Sequence, residues 1–233
     1  MSKPVCAVVG VGPGNGTALA RRFSRAGYAV ALLARSTGFS EELAAELGDA
    51  RAYGCDASRP DSVEQAFSRI VQEMGEIDAL VYNAGSGTWG SVEEIDAETF
   101  EMSWRVNTLG SLVAVQKVAP AMKRKGSGNI IFIGATASRR GGAKTAAFAS
   151  AKAAQRSLAE SMARHLWPEG IHVALVIIDG FVDLPKTREQ MPDKEDSFFV
   201  RPEDLAETTF GLTRQPRSAW SFEIEARPFG EAW

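Results

Sequence analysis

The chain is short of the residues that most often mark a site by themselves. Among 233 residues there are two cysteines, two histidines and three tyrosines. Cys6 and Cys55 lie in apolar, strand-like runs and read as buried thiols in a reducing compartment, not as a disulfide framework. No metal site is expected. No apolar stretch is long enough to span a membrane, and the run that follows Lys3 and Pro4 stops early, at Gly10, so neither a membrane anchor nor a signal peptide is expected. Charge of one sign is also lacking. The 26 Lys and Arg nearly balance 29 Asp and Glu, for a formal net charge of −3 without a basic block, which argues against nucleic acid as a partner. Repeats, low-complexity tracts and linkers are missing too. What these absences leave is a cytoplasmic, single-domain globular protein spanning 1–233, with 45% apolar residues and enough length for a substantial core.

What is present is alternation. Candidate strands lie at Val5–Gly10, Ala29–Ala34, Ala50–Cys55, Ile77–Tyr82, Asn129–Gly134, His172–Ile178 and Trp220–Ala226, and helical patterns begin near Gly14, Ser40, Pro60, Asp96, Thr145 and Arg201. Most of these strands are continuously apolar, as expected when helices cover both faces of a parallel sheet. The pattern predicts an α/β fold, a Rossmann-like, doubly wound parallel seven-stranded sheet with helices on both faces. The longest helix is expected over Asp96–Lys125, with Pro120 bending its last turns. One long irregular stretch, 180–200, falls after the sixth strand and reads as a lid, with Met191, Phe198 and Phe199 as an apolar wall.

The first strand runs into "VVGVGPGNGTALARRF". The spacing G-x-G-x-x-G fails, because Asn15 stands where its third glycine belongs, whereas G-x-x-x-G-x-G is met by Gly10, Gly14 and Gly16. A glycine turn at a helix N-terminus lets the backbone approach a pyrophosphate and offers it unpaired N–H groups. The second strand ends in Ala34-Arg35-Ser36, with no acidic residue for a ribose 2′-hydroxyl. Arg35 can instead pair with a 2′-phosphate, and Ser36 can add a hydroxyl, so NADP(H) is expected over NAD(H).

Together with "NAG" at Asn83, Ala84 and Gly85, with Asn107 on the long helix and with Lys152 in "FASAKAAQ", the chain resembles a short-chain dehydrogenase/reductase over nearly its whole length. The resemblance implies that Asp56 contacts the adenine and that Asn83, Ala84 and Gly85 steady the sheet centre beside the cofactor. It implies that Asn107 holds a water of a proton relay, that Lys152 bonds the nicotinamide ribose, and that the Val182 backbone meets the carboxamide. It also implies a homodimer or homotetramer built on the long helix and on a helix whose surface is made small by Ala146, Ala149, Ala153 and Ala154.

The departures fall on the proton-handling residues. Phe148 occupies the slot of the family's tyrosine acid, Ala135 that of its serine, Asp179-Gly180 replaces a Pro-Gly, and Leu184 replaces a threonine. A positioned acid is worth about 10²–10⁴ in rate and an oxyanion donor about 10²–10³, so an active enzyme needs a substitute. Tyr28, Tyr53 and Tyr82, read as strand residues on the cofactor side, offer none, and His165 and His172 read as surface or packing residues. Nearer are Thr136, Ser138, Ser150 and, above all, Lys152, whose amine an apolar neighbour would push toward neutrality. A plain packing role is the alternative for Phe148, which recurs with Ala151, Gln155, Leu158, Met162 and Leu166 at helical spacing. Two functions follow: an NADP(H)-dependent oxidoreductase of a small carbonyl or alcohol with a non-standard acid, catalytic residues Lys152, Asn107 and Thr136, or a cofactor-binding pseudoenzyme that senses NADPH or partners an active subunit. A structural subunit without nucleotide is disfavoured by Arg35, Asp56 and Lys152 occurring together.

Overall fold

Strands β1 (Val5–Val9), β2 (Ala29–Ala34), β3 (Ala50–Gly54), β4 (Ile77–Tyr82), β5 (Gly128–Ala135), β6 (Ile171–Ile178) and β9 (Glu223–Ala226) form one seven-stranded sheet. Their order is β3-β2-β1-β4-β5-β6-β9 and every neighbouring pair is parallel. The structure is a computed structural model and describes residues 3–231. Helices α1 (Asn15–Arg25), α2 (Gly38–Leu47), α3 (Pro60–Met74), α4 (Ala97–Trp104), α5 (Gly110–Lys125), α6 (Ala146–Leu166), α7 (Pro185–Gln190) and α8 (Pro202–Leu212) supply the crossovers and the covering layers.

The continuous apolar strands resolve into two cores because successive side chains point to opposite faces. Val5, Ala7 and Val9 of β1 join Phe67 and Ile70 of α3, Val118 and Met122 of α5, and Met162 and Leu166 of α6. Cys6 and Val8 face the other way, onto Leu19 and Phe23 of α1, Leu43 of α2, and Leu205 and Phe210 of α8. Fully burying one Leu, Ile or Phe side chain contributes about 1.5–3 kcal/mol, so both faces hold the sheet rigid under the loops at its ends. Cys6 and Cys55 are buried free thiols, and burial raises both above the ordinary range, Cys55 to about 12.

The long helix runs from Ala97 to Lys125, capped by the Asp96 carboxylate on the Thr99 amide at 2.7 Å. The helix continues through Pro120 and departs from α geometry at Arg105–Leu109, a π turn with Asn107 at its centre. Single π turns inside helices concentrate at functional sites.

Three expectations are corrected. The last strand starts at Glu223, not Trp220, because Trp220 turns aside to stack on His172 at 4.7 Å with an interplanar angle of 6°. Tyr28 lies just before β2, at the end of the sheet away from the strand C-termini. The 180–200 stretch is not irregular. It forms a flap in which β7 (Phe181–Val182) pairs in parallel with β8 (Phe199–Val200) at its base and α7 lies between. Arg188 pins the flap. It donates to both oxygens of Asp183 at 2.7 and 2.8 Å, meets Asp196 at 2.8 Å and lies over the Phe199 ring at 4.1 Å.

Candidate active site

Strand order reverses between β1 and β4, and crevices at such a reversal, beyond the strand C-termini, are where doubly wound folds bind ligands. Here a cavity of about 760 Å³ opens there, bounded by the β1–α1 turn, the end of β4, the end of β5, the start of α6 and the flap. It brings together Gly10, Asn15, Gly16, Asn83, Gly85, Thr136, Lys152 and Val182 of the expected site residues. Gly14, Arg35, Ser36, Asp56, Ala84 and Asn107 lie outside its lining. Arg35 and Ser36 are exposed at the end of β2, and the Arg35 charge acts on Asp56 across the β2–β3 end.

The glycines do different jobs. Gly10 has φ +90, and a Cβ there would stand 2.5 Å from the Ala84 amide nitrogen, so the turn itself demands glycine. Gly12, outside the matched spacing, meets nothing within 4 Å and lines the cavity, so its missing side chain leaves room rather than relieving a clash. Asn15, at the first turn of α1, buries a side-chain oxygen without a partner among the described residues. Asn107, behind Gly85, does the same. A buried acceptor left unpaired is costly, and Asn15, which lines the cavity, is the one that a bound dinucleotide would reach. Helix N-terminus, open glycine and the Asn15 amide fit such a group.

At the other end of the cavity stand the groups that could handle protons. Lys152 is 5% exposed, and its Nζ donates to the Ile133 carbonyl at 2.8 Å and to Gln155 Oε1 at 3.0 Å. With no charged partner among the described residues, burial alone pushes the amine down to about 7. Thr136 is not a free donor, as its expected role required. Its hydroxyl donates to the Asp179 carboxylate, which also binds Arg227 and lies 3.5 Å from Arg140. Burial opposes ionisation of Asp179, but hydrogen bonds from Thr136 and Arg227 and the charges of Arg227 and Arg140 outweigh it and hold the carboxyl below its usual range. Thr136 therefore faces the cavity as an acceptor.

Ser138 accepts from the Ala135 amide at 3.2 Å and Ser150 donates to the Ala146 carbonyl of its own helix at 2.7 Å, and neither lines the cavity. Tyr82 lies deep in the core with its hydroxyl on the Val106 carbonyl at 2.5 Å, and burial raises it far above the ordinary phenol. Tyr53 is turned to Glu73, and His172 is buried under Trp220 at the far end of β6.

Phe148 is not a core residue, unlike Ala151, Gln155, Met162 and Leu166 on the same helix. It lines the cavity and pairs with Trp89 at 5.7 Å. The flap's apolar contribution also differs from expectation. Phe181, Val182 and Leu184 line the cavity, whereas Phe198 and Phe199 pack on each other, on Phe181 and under Arg188, and Met191 closes α7.

The short chain dehydrogenase family matches residues 4–195. The chain belongs to that family. Among similar proteins is the 3-oxoacyl-(acyl-carrier-protein) reductase MabA of Mycobacterium bovis, 30% identical over 183 residues, 78% of this chain and 70% of that one. A short-chain dehydrogenase structure from Rhodopseudomonas palustris is 32% identical with a TM-score of 0.84, covering 97% of this chain and 99% of the other. A metagenomic short-chain oxidoreductase solved with NADP is 26% identical with a TM-score of 0.84, covering 98% of each chain. Short-chain dehydrogenases are oxidoreductases that bind nicotinamide cofactors and act on small molecules, and no described helix of this chain could cross a membrane.

For this short-chain dehydrogenase, sequence reasoning missed Gly12, Trp89 and the role of Gln155. Gly12 lies outside the matched spacing and Trp89 sits on an irregular segment with no periodic signal. Gln155 was counted as a packing position, although a polar side chain in an apolar helical stripe was the available clue. Its side-chain Nε2 donates to the Asn107 carbonyl at 2.8 Å.

Proposed function

We propose that this short-chain dehydrogenase binds NADP(H) in the cytoplasm and interconverts a small carbonyl compound and its alcohol, with Lys152 moving the proton that the family's tyrosine would move. One observation carries this reading: a buried lysine with no acidic partner among the described residues lines the cavity, with its amine near neutrality. Such a group donates as ammonium or accepts as amine at working pH, as a general acid–base should. The bound cofactor supplies or accepts the hydride. Gly12, Asn15 and Gly16 would hold its phosphates and Arg35 its 2′-phosphate. The substrate would lie between the Trp89–Phe148 pair and Phe181 and Leu184, with Thr136 accepting a hydrogen bond from a substrate hydroxyl. Phe148 and Ala135, where the family keeps tyrosine and serine, favour the pseudoenzyme as the second reading.

Titration with NADPH and NADH, followed by NADPH oxidation over a panel of small aldehydes and ketones, separates the two. The first reading expects NADPH to bind more tightly than NADH, Arg35→Ala to weaken NADPH by about tenfold while leaving NADH unchanged, and Lys152→Met to abolish turnover with NADPH binding retained. Cofactor binding without turnover on any panel member gives the pseudoenzyme. Equal affinity for both dinucleotides removes the role of Arg35.

A further inference from the structure

Gln155 is fully buried on α6, one turn after Lys152. Its amide spans two groups: Oε1 accepts from Lys152 Nζ at 3.0 Å, and Nε2 donates to the Asn107 main-chain carbonyl at 2.8 Å. The partners fix the orientation. A carbonyl can only accept, so Nε2 must face Asn107 and Oε1 is left for the amine. Asn107 is held in its turn by its own side chain, whose Nδ2 donates to Ser86 Oγ at 3.1 Å and to the Ser103 carbonyl at 2.9 Å. The Asn107 end of the bridge is therefore fixed by the π turn and by two further hydrogen bonds.

We propose that Gln155 is a positioning residue that plugs the space between Lys152 and the Asn107 carbonyl, so that Lys152 ends the proton path and exchanges protons only with the cavity. An amide N–H is not an acid at ordinary pH, so the chain Lys152–Gln155–Asn107 passes hydrogen bonds without passing a proton. Gln155 and the Ile133 carbonyl together take two positions on Nζ. The one that remains is a third hydrogen when the group is charged and a lone pair when it is neutral. The other charged side chains lining the cavity are Arg140, Asp179 and Glu231, and Asp179 is already engaged by Thr136 and Arg227. Replacing the amide by a carboxylate would thus place the first close counter-charge on Lys152, whereas removing the amide would open room for a water against Asn107.

This inference rests on the role given above to Lys152, but its test needs neither cofactor nor turnover. Protein carrying lysine labelled with ¹³C at Cε and ¹⁵N at Nζ is titrated by NMR, and the Lys152 signal is identified by its loss in Lys152→Met. The wild-type signal is expected to titrate far below the other lysines. An ordinary midpoint there would sink the proton-handling role of Lys152 itself, whatever Gln155 does. Gln155→Glu is expected to raise the midpoint by about one unit or more, and Gln155→Leu, which keeps bulk but offers no acceptor, to lower it. Gln155→Ala is expected to leave the midpoint near the wild-type value, with water replacing the amide, and to speed exchange of the Nζ hydrogens at slightly acidic pH by about tenfold or more. Gln155→Asn, too short to reach both partners, should follow Gln155→Ala, and serves where a larger change fails to fold. Midpoints unmoved by both Glu and Leu, or exchange unchanged in both Ala and Asn, would overturn the proposal.

Discussion

A lysine buried without a carboxylate is an unusual thing for a fold to keep, and its cost has a definite dependence on pH. The ordinary lysine midpoint is about 10.4, and burial lowers that of Lys152 to about 7. Between these values the unfolded chain holds a proton that the folded chain has released, so stability rises with pH across that window. Below pH 7 both states are protonated and the full penalty of burying the ammonium is present; above about 10.4 both are neutral and the penalty is gone. Lys152→Met has no such dependence. The variant is expected to gain on the wild type as pH falls from about 10 to 7, by a few kcal/mol, in urea unfolding of cofactor-free protein. A difference between the two that stays constant over this range would mean that Lys152 titrates normally. Retaining so costly a group without a counter-charge among the described residues is what a functional site does.

At the scale of elements, legibility followed the size of the physical signal. Strands such as Ile171–Ile178 were plain because a run buried on both faces is apolar throughout. Arg105–Leu109 gave no warning, since a π turn changes hydrogen bonding without changing the apolar period. The flap was hidden for another reason: β7 and β8 are two residues each, and what holds them is Arg188, whose partners are scattered across Asp183, Asp196 and Phe199. The site was legible where chemistry is tied to a fixed spacing, as at Gly10, Gly16 and Lys152, and obscure where it arises from contacts across the fold, as in the Thr136–Asp179 and Gln155–Asn107 bonds. If Arg188 is the pin, Arg188→Ala should loosen the flap alone. Asp196 is almost wholly exposed and its pair adds little, so the forked Asp183 bonds and the Phe199 contact are what hold the flap. Limited proteolysis should then cut within 180–200 several-fold faster with global unfolding scarcely shifted. Unchanged cleavage would show that the short β7–β8 pairing holds the flap unaided.

Over the whole molecule the two cores take up most of the aliphatic side chains, but several aromatics, Phe39, Trp89, Phe100, Trp104 and Phe181 among them, are left exposed, and where they lie is informative. On α4, Phe100 and Trp104 are 43% and 40% exposed and lie one helical turn apart, so they share a face. On α6 the alanines expected to form a small flat surface divide: Ala149 is buried, whereas Ala153 is exposed and Ala146 and Ala154 are partly so. The aromatic pair on α4 is therefore the stronger candidate for the expected contact between copies of the chain. A pair of aromatics on one helix face meets its own symmetry mate in a self-complementary contact, as a twofold dimer requires. Tryptophan is also among the residues that dominate such interfaces, where truncating an anchor costs about 2 kcal/mol or more. Sedimentation at micromolar concentration is expected to show a dimer or tetramer. Trp104→Glu, which would bury a carboxylate in the contact, should weaken association by about thirtyfold or more while leaving NADPH binding to the subunit intact. A wild-type chain that sediments as a monomer would leave Phe100 and Trp104 without this role, and an oligomer indifferent to Trp104→Glu would place the contact on another face.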